Sequence, residues 1–388
     1  MKTEVQSTAP IWAEISVGAL QHNFRTVQEH VGAETTVCAV VKADAYGHGS
    51  VGCAQAFEAA GAAWLGVTSV EEGMRLREGD IAARILVLRG FTPGEEEDVV
   101  RFDLTPAVWE WAQVELLEAA TRRVGHNGQP VPVHLKVDTG MGRLGVSMAD
   151  LPALAGKLRS TQHVLLEGVF SHFSSAEVID SPSTATQMRR FEEVLGVISA
   201  AGLAPIHQHL ANSAAVITQR GSWKNFVRAG LALYGHFLPA VSAVTGRPDP
   251  ALALPVRPAL TWKTRVLSVR QMPARQPLGY SGAYVTPASA RIAALPVGYA
   301  DGLNRRLSNC GRVIVRGAYA PIVGNVSMDI TLVDVTSIPG VEPGDEALLI
   351  GAGNGCSVTA VDHASWASTV PYEILCGISK RVPRIYVD

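Results

Sequence analysis

In the stretch "AVVKADAYGHG", residues 39–49, one lysine, Lys42, closes an apolar run and opens a polar, glycine-punctuated turn. Lysine is almost never fully buried without a partner or a task. A desolvated lysine has a lowered pKa and can bond covalently to carbonyl compounds, which points to aldolase or pyridoxal-type chemistry. Ser213, preceded by Asn212 in "ANSAA", and the Gly230-Leu231 pair in "RAGL" offer donors of the kind that cradle a phosphate, although a helix cap and a packing glycine look the same in isolation. His207 and His209 share one strand face, but no third ligand accompanies them and a metal site is not indicated.

These residues need elements to hold them. Between about residues 16 and 235, eight β-branched runs alternate with segments of helical period: "TVCAVVKA", "AWLGVTS", "RILVLRG", "DLTPAVW", "PVHLKVD", "LEGVFSHF", "IHQHLAN" and "NFVRAGLALYG". Leu20, Phe24, Val27 and Val31 recur at helical spacing, as do Met188, Phe191, Leu195 and Ile198. Ser69 with Glu72 reads as a capping box, and Ser147 with Asp150 as a similar helix start. Eight such units predict an α/β fold, a (β/α)₈ TIM-like barrel over 11–240, whose chemistry belongs at the C-terminal strand ends, where Lys42 lies. Five prolines from Pro239 to Pro258 read as a linker. Beyond it the runs are strands and turns, which predicts a mostly β C-terminal domain over 255–388, with residues 1–10 packing alongside it. "GAGNGCS", residues 351–357, lacks a strand–helix phosphate context and reads as a turn.

The 388 residues are 47% hydrophobic and 18% charged, a globular composition, and the net charge of −2 provides no basic field for nucleic acid or membrane surfaces. A small neutral or zwitterionic ligand fits better. The five cysteines are scattered without a C-x-x-C pair, and neither a signal peptide nor a spanning apolar run is evident, so the expected location is cytoplasmic.

"AVVKADAYGHG" closely resembles the cofactor-lysine motif of alanine racemases. "HLKVDTGMGRLG" (134–145), "HLANSAA" (209–215), "VRAGLALYG" (227–235), "LGYSGAY" (278–284), "LPVGYADG" (295–302), "GNVSMD" (324–329) and "RVPRIY" (381–386) resemble the same family in the same order. Leucine at 231 and serine at 327, before Met328, are departures that leave backbone contacts unaffected. The resemblance implies a homodimeric enzyme dependent on pyridoxal 5'-phosphate (PLP). It would interconvert L- and D-alanine, either supplying D-alanine for peptidoglycan or catabolising alanine.

By resemblance Lys42 carries the cofactor and acts as one acid/base, and Tyr280, from the partner subunit, is the other. Tyr46, Asn212, Ser213, Gly230, Leu231 and Tyr372 belong to the cofactor's phosphate neighbourhood. Arg228 faces the pyridine nitrogen, and since arginine only donates, that nitrogen stays unprotonated and the ring is a weaker electron sink. His172 links Arg228 to the second tyrosine. Arg143 takes the cofactor's phenolic oxygen and the substrate carboxylate, Met328 edges the pocket beside Asp329, Tyr299 lines the entrance, and Lys136 matches a lysine often carbamylated in the family. Rival readings are a racemase of serine or larger amino acids, a non-catalytic PLP-binding barrel, and a decarboxylase, which would need an acidic residue in place of Arg228.

Overall fold

The computed structural model describes residues 9–388, which divide into two compact units. One comprises residues 19–45 and 50–257; the other comprises 258–388 with residues 9–18 and 46–49.

In the first unit all eight anticipated runs are strands. They follow as Thr36–Val40, Trp64–Val67, Arg84–Val87, Leu104–Val108, Val131–Lys136, Val164–Phe170, His207–His209 and Phe226–Ala229. The first seven pair in parallel in sequence order, and the eighth returns to pair in parallel with the first. Between the seventh and eighth the sheet is joined by an Asn212–Arg228 bridge and by Arg228 N–H donating to Ala211 O at 3.0 Å, so the barrel is nearly closed. Runs without alternation suit strands covered on both faces. Cys38, Leu65, Leu86, Ala107 and Val169 are among the residues with no exposure.

The helix Val17–Val31 buries Leu20, Phe24, Val27 and Val31 as their spacing predicts, together with Asn23. The helix Pro182–Ala200 departs from expectation: its buried stripe is Thr184, Gln187, Phe191, Val194 and Ile198, with Met188 and Leu195 flanking it. Gln187 is drawn inward because its amide bonds Thr139 Oγ1, His172 O and Ser174 N–H.

In the second unit, one sheet runs in the order Ala318–Pro321, Arg312–Val315, Glu346–Gly353, Leu260–Arg265, Ile11–Ser16, Arg384–Val387. A three-stranded sheet contains Ser268–Met272, Ala290–Leu295 and Thr331–Asp334. Ile11–Ser16, anticipated at the start of the barrel segment, lies here instead, antiparallel to Leu260–Arg265 and parallel to Arg384–Val387. The cause is its ladder on both sides, which satisfies a buried backbone that a barrel of eight strands has no place for. Of the residues expected to accompany this domain, 1–8 lie outside those described, and Pro10 O accepts from Arg265 N–H at 3.1 Å. "GAGNGCS" is the hairpin between Glu346–Gly353 and Cys356–Val358, with positive φ at Asn354 and Gly355 as a tight Asn-Gly turn requires. The unit also carries two helices, Ala360–Ala367 and Pro371–Gly377, which its strand-rich pattern did not announce.

Candidate active site

Lys42 follows the first barrel strand, and the backbone beyond it does something uncommon. Ala43, Asp44, Ala45 and Tyr46 all have φ between 52° and 54°, a left-handed turn of four non-glycine residues. Such a turn costs roughly 1–2 kcal/mol per residue and persists only when its surroundings over-determine it. Here Glu72 supplies much of the restraint: its Oε1 accepts from Ala43 N–H at 2.8 Å and its Oε2 from Thr68 N–H at 2.6 Å. Asp44 Oδ1 accepts from Ser50 N–H, and Ala45 N–H donates to Val41 O. The anticipated capping box is therefore only half formed. Ser69 caps Glu72 N–H at 3.3 Å, but the Glu72 carboxylate reaches Thr68 and Ala43 instead of the Ser69 backbone.

Four of the remaining strand ends bring further predicted residues to the same rim. Lys136 is the last residue of the fifth strand, and its Nζ donates to Leu88 O at 3.3 Å. Arg143 follows on a loop wound around Asp138, whose carboxylate accepts from Gly140, Met141 and Gly142 N–H at 2.8–2.9 Å. Burial alone would raise the Asp138 carboxyl, but the N–H groups of Gly140, Gly142, Met141 and Arg143 hold it below its ordinary value. Gly145 closes this loop at φ +134°, where a Cβ would stand 2.6 Å from Asp138 N. Ser147 and Asp150 bond each other just before the helix Leu151–Leu158, the helix start read from sequence.

After the sixth strand, His172 Nδ1 lies 3.2 Å from an Arg228 terminal nitrogen. After the seventh, Asn212 caps a short helix by accepting from Ala215 N–H at 3.0 Å, so its side chain is engaged in the chain itself. Ser213 Oγ accepts from Gly230 N–H at 2.7 Å and faces Ala232 N–H at 3.5 Å, tying the loops after strands seven and eight together around Leu231. Arg228, on the eighth strand, is buried and donates to Ser171 O, His209 O and Leu210 O besides its histidine contacts.

This rim is electropositive. Burial lowers the Lys136 ammonium to about 8, with Arg228, Arg143 and Lys42 adding repulsion against the single opposing Asp138. Burial and the same cations, with Lys136, push His172 well below its ordinary value, so it is neutral. Arg228 itself falls to about 10 through burial and stays charged at neutral pH. Four cations around one mouth are mutually destabilising until an anion enters. A group bearing a phosphate, with a substrate bearing a carboxylate, would supply that compensation, and a lysine amine at such a rim is of the type that bonds a carbonyl group.

In the second unit, the rings of Tyr46 and Tyr372 sit 5.9 Å apart, and burial, then Tyr372 and Cys376, push the Tyr46 hydroxyl far above its usual range. Tyr280 occupies a single helical turn before the strand Tyr284–Val285 and is 73% exposed; Met328 is 53% exposed and Tyr299 44%. Asp329, beside Met328, pairs with Arg381 at 2.9 Å.

Residues 15–237 match the model of the alanine racemase N-terminal domain and residues 259–386 that of the C-terminal domain. The chain belongs to the alanine racemase family. The alanine racemase of Symbiobacterium thermophilum is 43% identical over 385 residues, spanning 99% of this chain and 98% of that one. The crystal structure of alanine racemase from a D-cycloserine-producing Streptomyces lavendulae superposes with a TM-score of 0.90 at 35% identity, over 99% and 98% of the two chains. That of Bartonella henselae, solved with covalently bound pyridoxal phosphate, superposes at 0.84 with 30% identity, over 98% and 100%. The chain is thus an isomerase of a PLP-dependent family, and the cationic rim around Lys42 fits that cofactor.

Two groups of residues carry functions that their local sequence does not announce. The sequence places Glu72 only in a capping box and carries no sign of its grip on Ala43. His134 and Glu167 are not singled out by the sequence, although they form a buried polar row with His209, which the partly exposed Arg84 closes at the Glu167 end. Inward-facing polar residues within apolar runs, "PVHLK" and "LEGVF", were the available signal.

Proposed function

We propose that this protein racemises alanine, with Lys42 holding PLP covalently and serving as one proton-transfer group. The observation that carries the reading is Lys42 on its left-handed turn at a rim crowded by Lys136, Arg143 and Arg228. Bound PLP supplies the electron-withdrawing ring that makes the substrate's Cα–H acidic. The chain's own residues would do the rest. Ser213, Gly230 and Leu231, with Asn212 fixing their loop, would hold the phosphate, assisted by Tyr46 and Tyr372. Arg143 would orient the substrate carboxylate and balance the phenolic oxygen.

Arg228 would face the pyridine nitrogen. Its charge is retained at neutral pH, so it has only donors to offer, and that nitrogen must accept. A proton then leaves Cα on one face to Lys42 Nζ or to Tyr280 Oη on the other, and the opposite group returns one. Tyr280 would come from the partner subunit of a homodimer; its exposure, with that of Met328 and Tyr299, supports an association surface. His172, hydrogen-bonded to Arg228, is the intermediary through which Tyr280 would be tuned.

Lys136 would be carbamylated. Its lowered pKa leaves more free amine at neutral pH, and attack of Nζ on CO₂ with loss of a proton would replace a fourth cation by an anion beside Arg143. The cytoplasm suits a chain among whose described residues no helix is long and apolar enough to cross a membrane.

The deciding experiment is the visible spectrum of the purified protein together with chiral analysis after incubation with L-alanine. A coloured protein that forms D-alanine is expected. Colour without D-alanine would sink the reading in favour of a PLP-binding barrel.

A further inference from the structure

Behind the rim, a row of buried polar side chains crosses the barrel interior. Arg228 donates a terminal N–H to His209 Nδ1 at 2.8 Å, and His209 Nε2 lies 2.8 Å from His134 Nδ1. His134 Nε2 faces Glu167 Oε2 at 3.6 Å, longer than a hydrogen bond. Arg84 clamps the Glu167 carboxylate from the other side at 2.5 and 2.8 Å. Both histidines have no exposure, and the Phe170 ring stacks on His209 at 4.7 Å. Room for His134 is made by Gly168, where a Cβ would stand 2.6 Å from three atoms of the imidazole.

The proton placement in this row follows from Arg228. Arginine only donates, so His209 Nδ1 must accept, and its proton resides on Nε2. That proton points at His134 Nδ1, which must then accept, leaving the His134 proton on Nε2, aimed at the Glu167 carboxylate. Every donor in the row points the same way, from Arg228 toward Glu167. Burial lowers His134 to about 4 despite the Glu167 charge, and burial with the Arg228 charge lowers His209 well below its ordinary value, so both rings are neutral.

We propose that Glu167, through His134 and His209, is a positioning group for Arg228, locking the imidazole tautomers so that the guanidinium meets an acceptor and is held at one orientation toward the cofactor ring. A reversed row would place a His209 Nδ1–H against the Arg228 N–H and expel the arginine from its seat. The carboxylate forbids that reversal, since it cannot donate to His134 Nε2. The orientation toward the ring rests on the role proposed for Arg228 above; the tautomers do not.

Nitrogen-15 spectra of histidine-labelled holoenzyme at neutral pH, assigned by single substitutions, should show His134 and His209 both protonated at Nε2 alone. Either ring found as the Nδ1–H form or as imidazolium overturns the proposal without any variant. Glu167→Gln, whose amide can donate and permits the reversed row, should shift the His209 resonances and lower kcat for alanine about tenfold while KM stays within about twofold. Glu167→Asp, retaining the carboxylate, should keep the wild-type tautomers and most of the rate. Wild-type tautomers and kcat in Glu167→Gln would refute the proposal. If Glu167→Gln does not fold, the Asp variant and the wild-type spectra decide it. Correct tautomers in a protein that racemises nothing would refute the Arg228 role and, with it, the link from the row to catalysis.

Discussion

Removing the Glu72 carboxylate should release the turn that aims Lys42. In Glu72→Ala, Ala43 and Thr68 each lose a bond to an ionised acceptor, at 2.8 and 2.6 Å. Hydrogen bonds to charged groups contribute about 1.5–3 kcal/mol each. The four left-handed residues carry strain of about 4–8 kcal/mol if each costs what αL costs a non-glycine residue. Glu72 thus offsets a large share of the strain, with Asp44 on Ser50 and Ala45 on Val41 adding weaker support. Relaxation to ordinary dihedrals would swing Lys42 from its position and recover part of the lost energy.

The expected net loss of stability is about 2–3 kcal/mol, smaller than the bonds removed because the strain is also relieved. The functional loss should be larger, at least tenfold in kcat, with incomplete covalent loading of the cofactor. Urea unfolding, the absorbance of the lysine-bound cofactor, and racemisation rates measure these separately. Glu72→Gln keeps one acceptor oxygen and should fall between. Full loading and a wild-type kcat in Glu72→Ala would refute the argument that this side chain sustains the turn.

Mixing Lys42→Ala with Tyr280→Phe subunits, each inactive alone, should restore roughly a quarter of the wild-type rate once subunits exchange, since half the dimers are mixed and one of their two sites keeps both groups; no recovery after proven exchange would remove Tyr280 from the partner's site. A smaller residue in place of Tyr372, whose ring meets Tyr46 at 5.9 Å, should raise activity on serine relative to alanine, and an unchanged ratio would place selectivity elsewhere. Lys136, kept as the free amine by excluding CO₂ and bicarbonate, gives a pH signature in the cofactor-free protein. Its folded pKa of about 8 lies below the ordinary 10.5, so its buried charge destabilises the fold fully below pH 8. That penalty is relieved as pH rises from about 8 toward 10.5, so stability should gain over this window in wild type and not in Lys136→Met, as urea midpoints would register. Equal pH dependence in the two would discount the cationic crowding.

Much of this protein was determined locally. Eight apolar runs could be read as barrel strands because a strand covered on both faces needs little but β-branched residues, and Lys42 stood out because a cation at the end of such a run is costly to bury without a task, whereas Arg143 and Arg228 were legible only through the resemblance to alanine racemases. Tertiary structure decided what depends on partners far away in the chain. Ile11–Ser16 is short and apolar enough to join either unit, and only pairing with Leu260–Arg265 and Arg384–Val387 assigns it. Glu72 and Ser69 have the spacing of a capping box, but Ala43, 29 residues back, competes for the same carboxylate. His134, Glu167 and His209 sit on three different strands, and nothing in one strand tells a histidine whether it will meet solvent, a metal or another imidazole. That was settled by an inward face shared across strands, by the missing Cβ of Gly168, and by a buried guanidinium that can only donate.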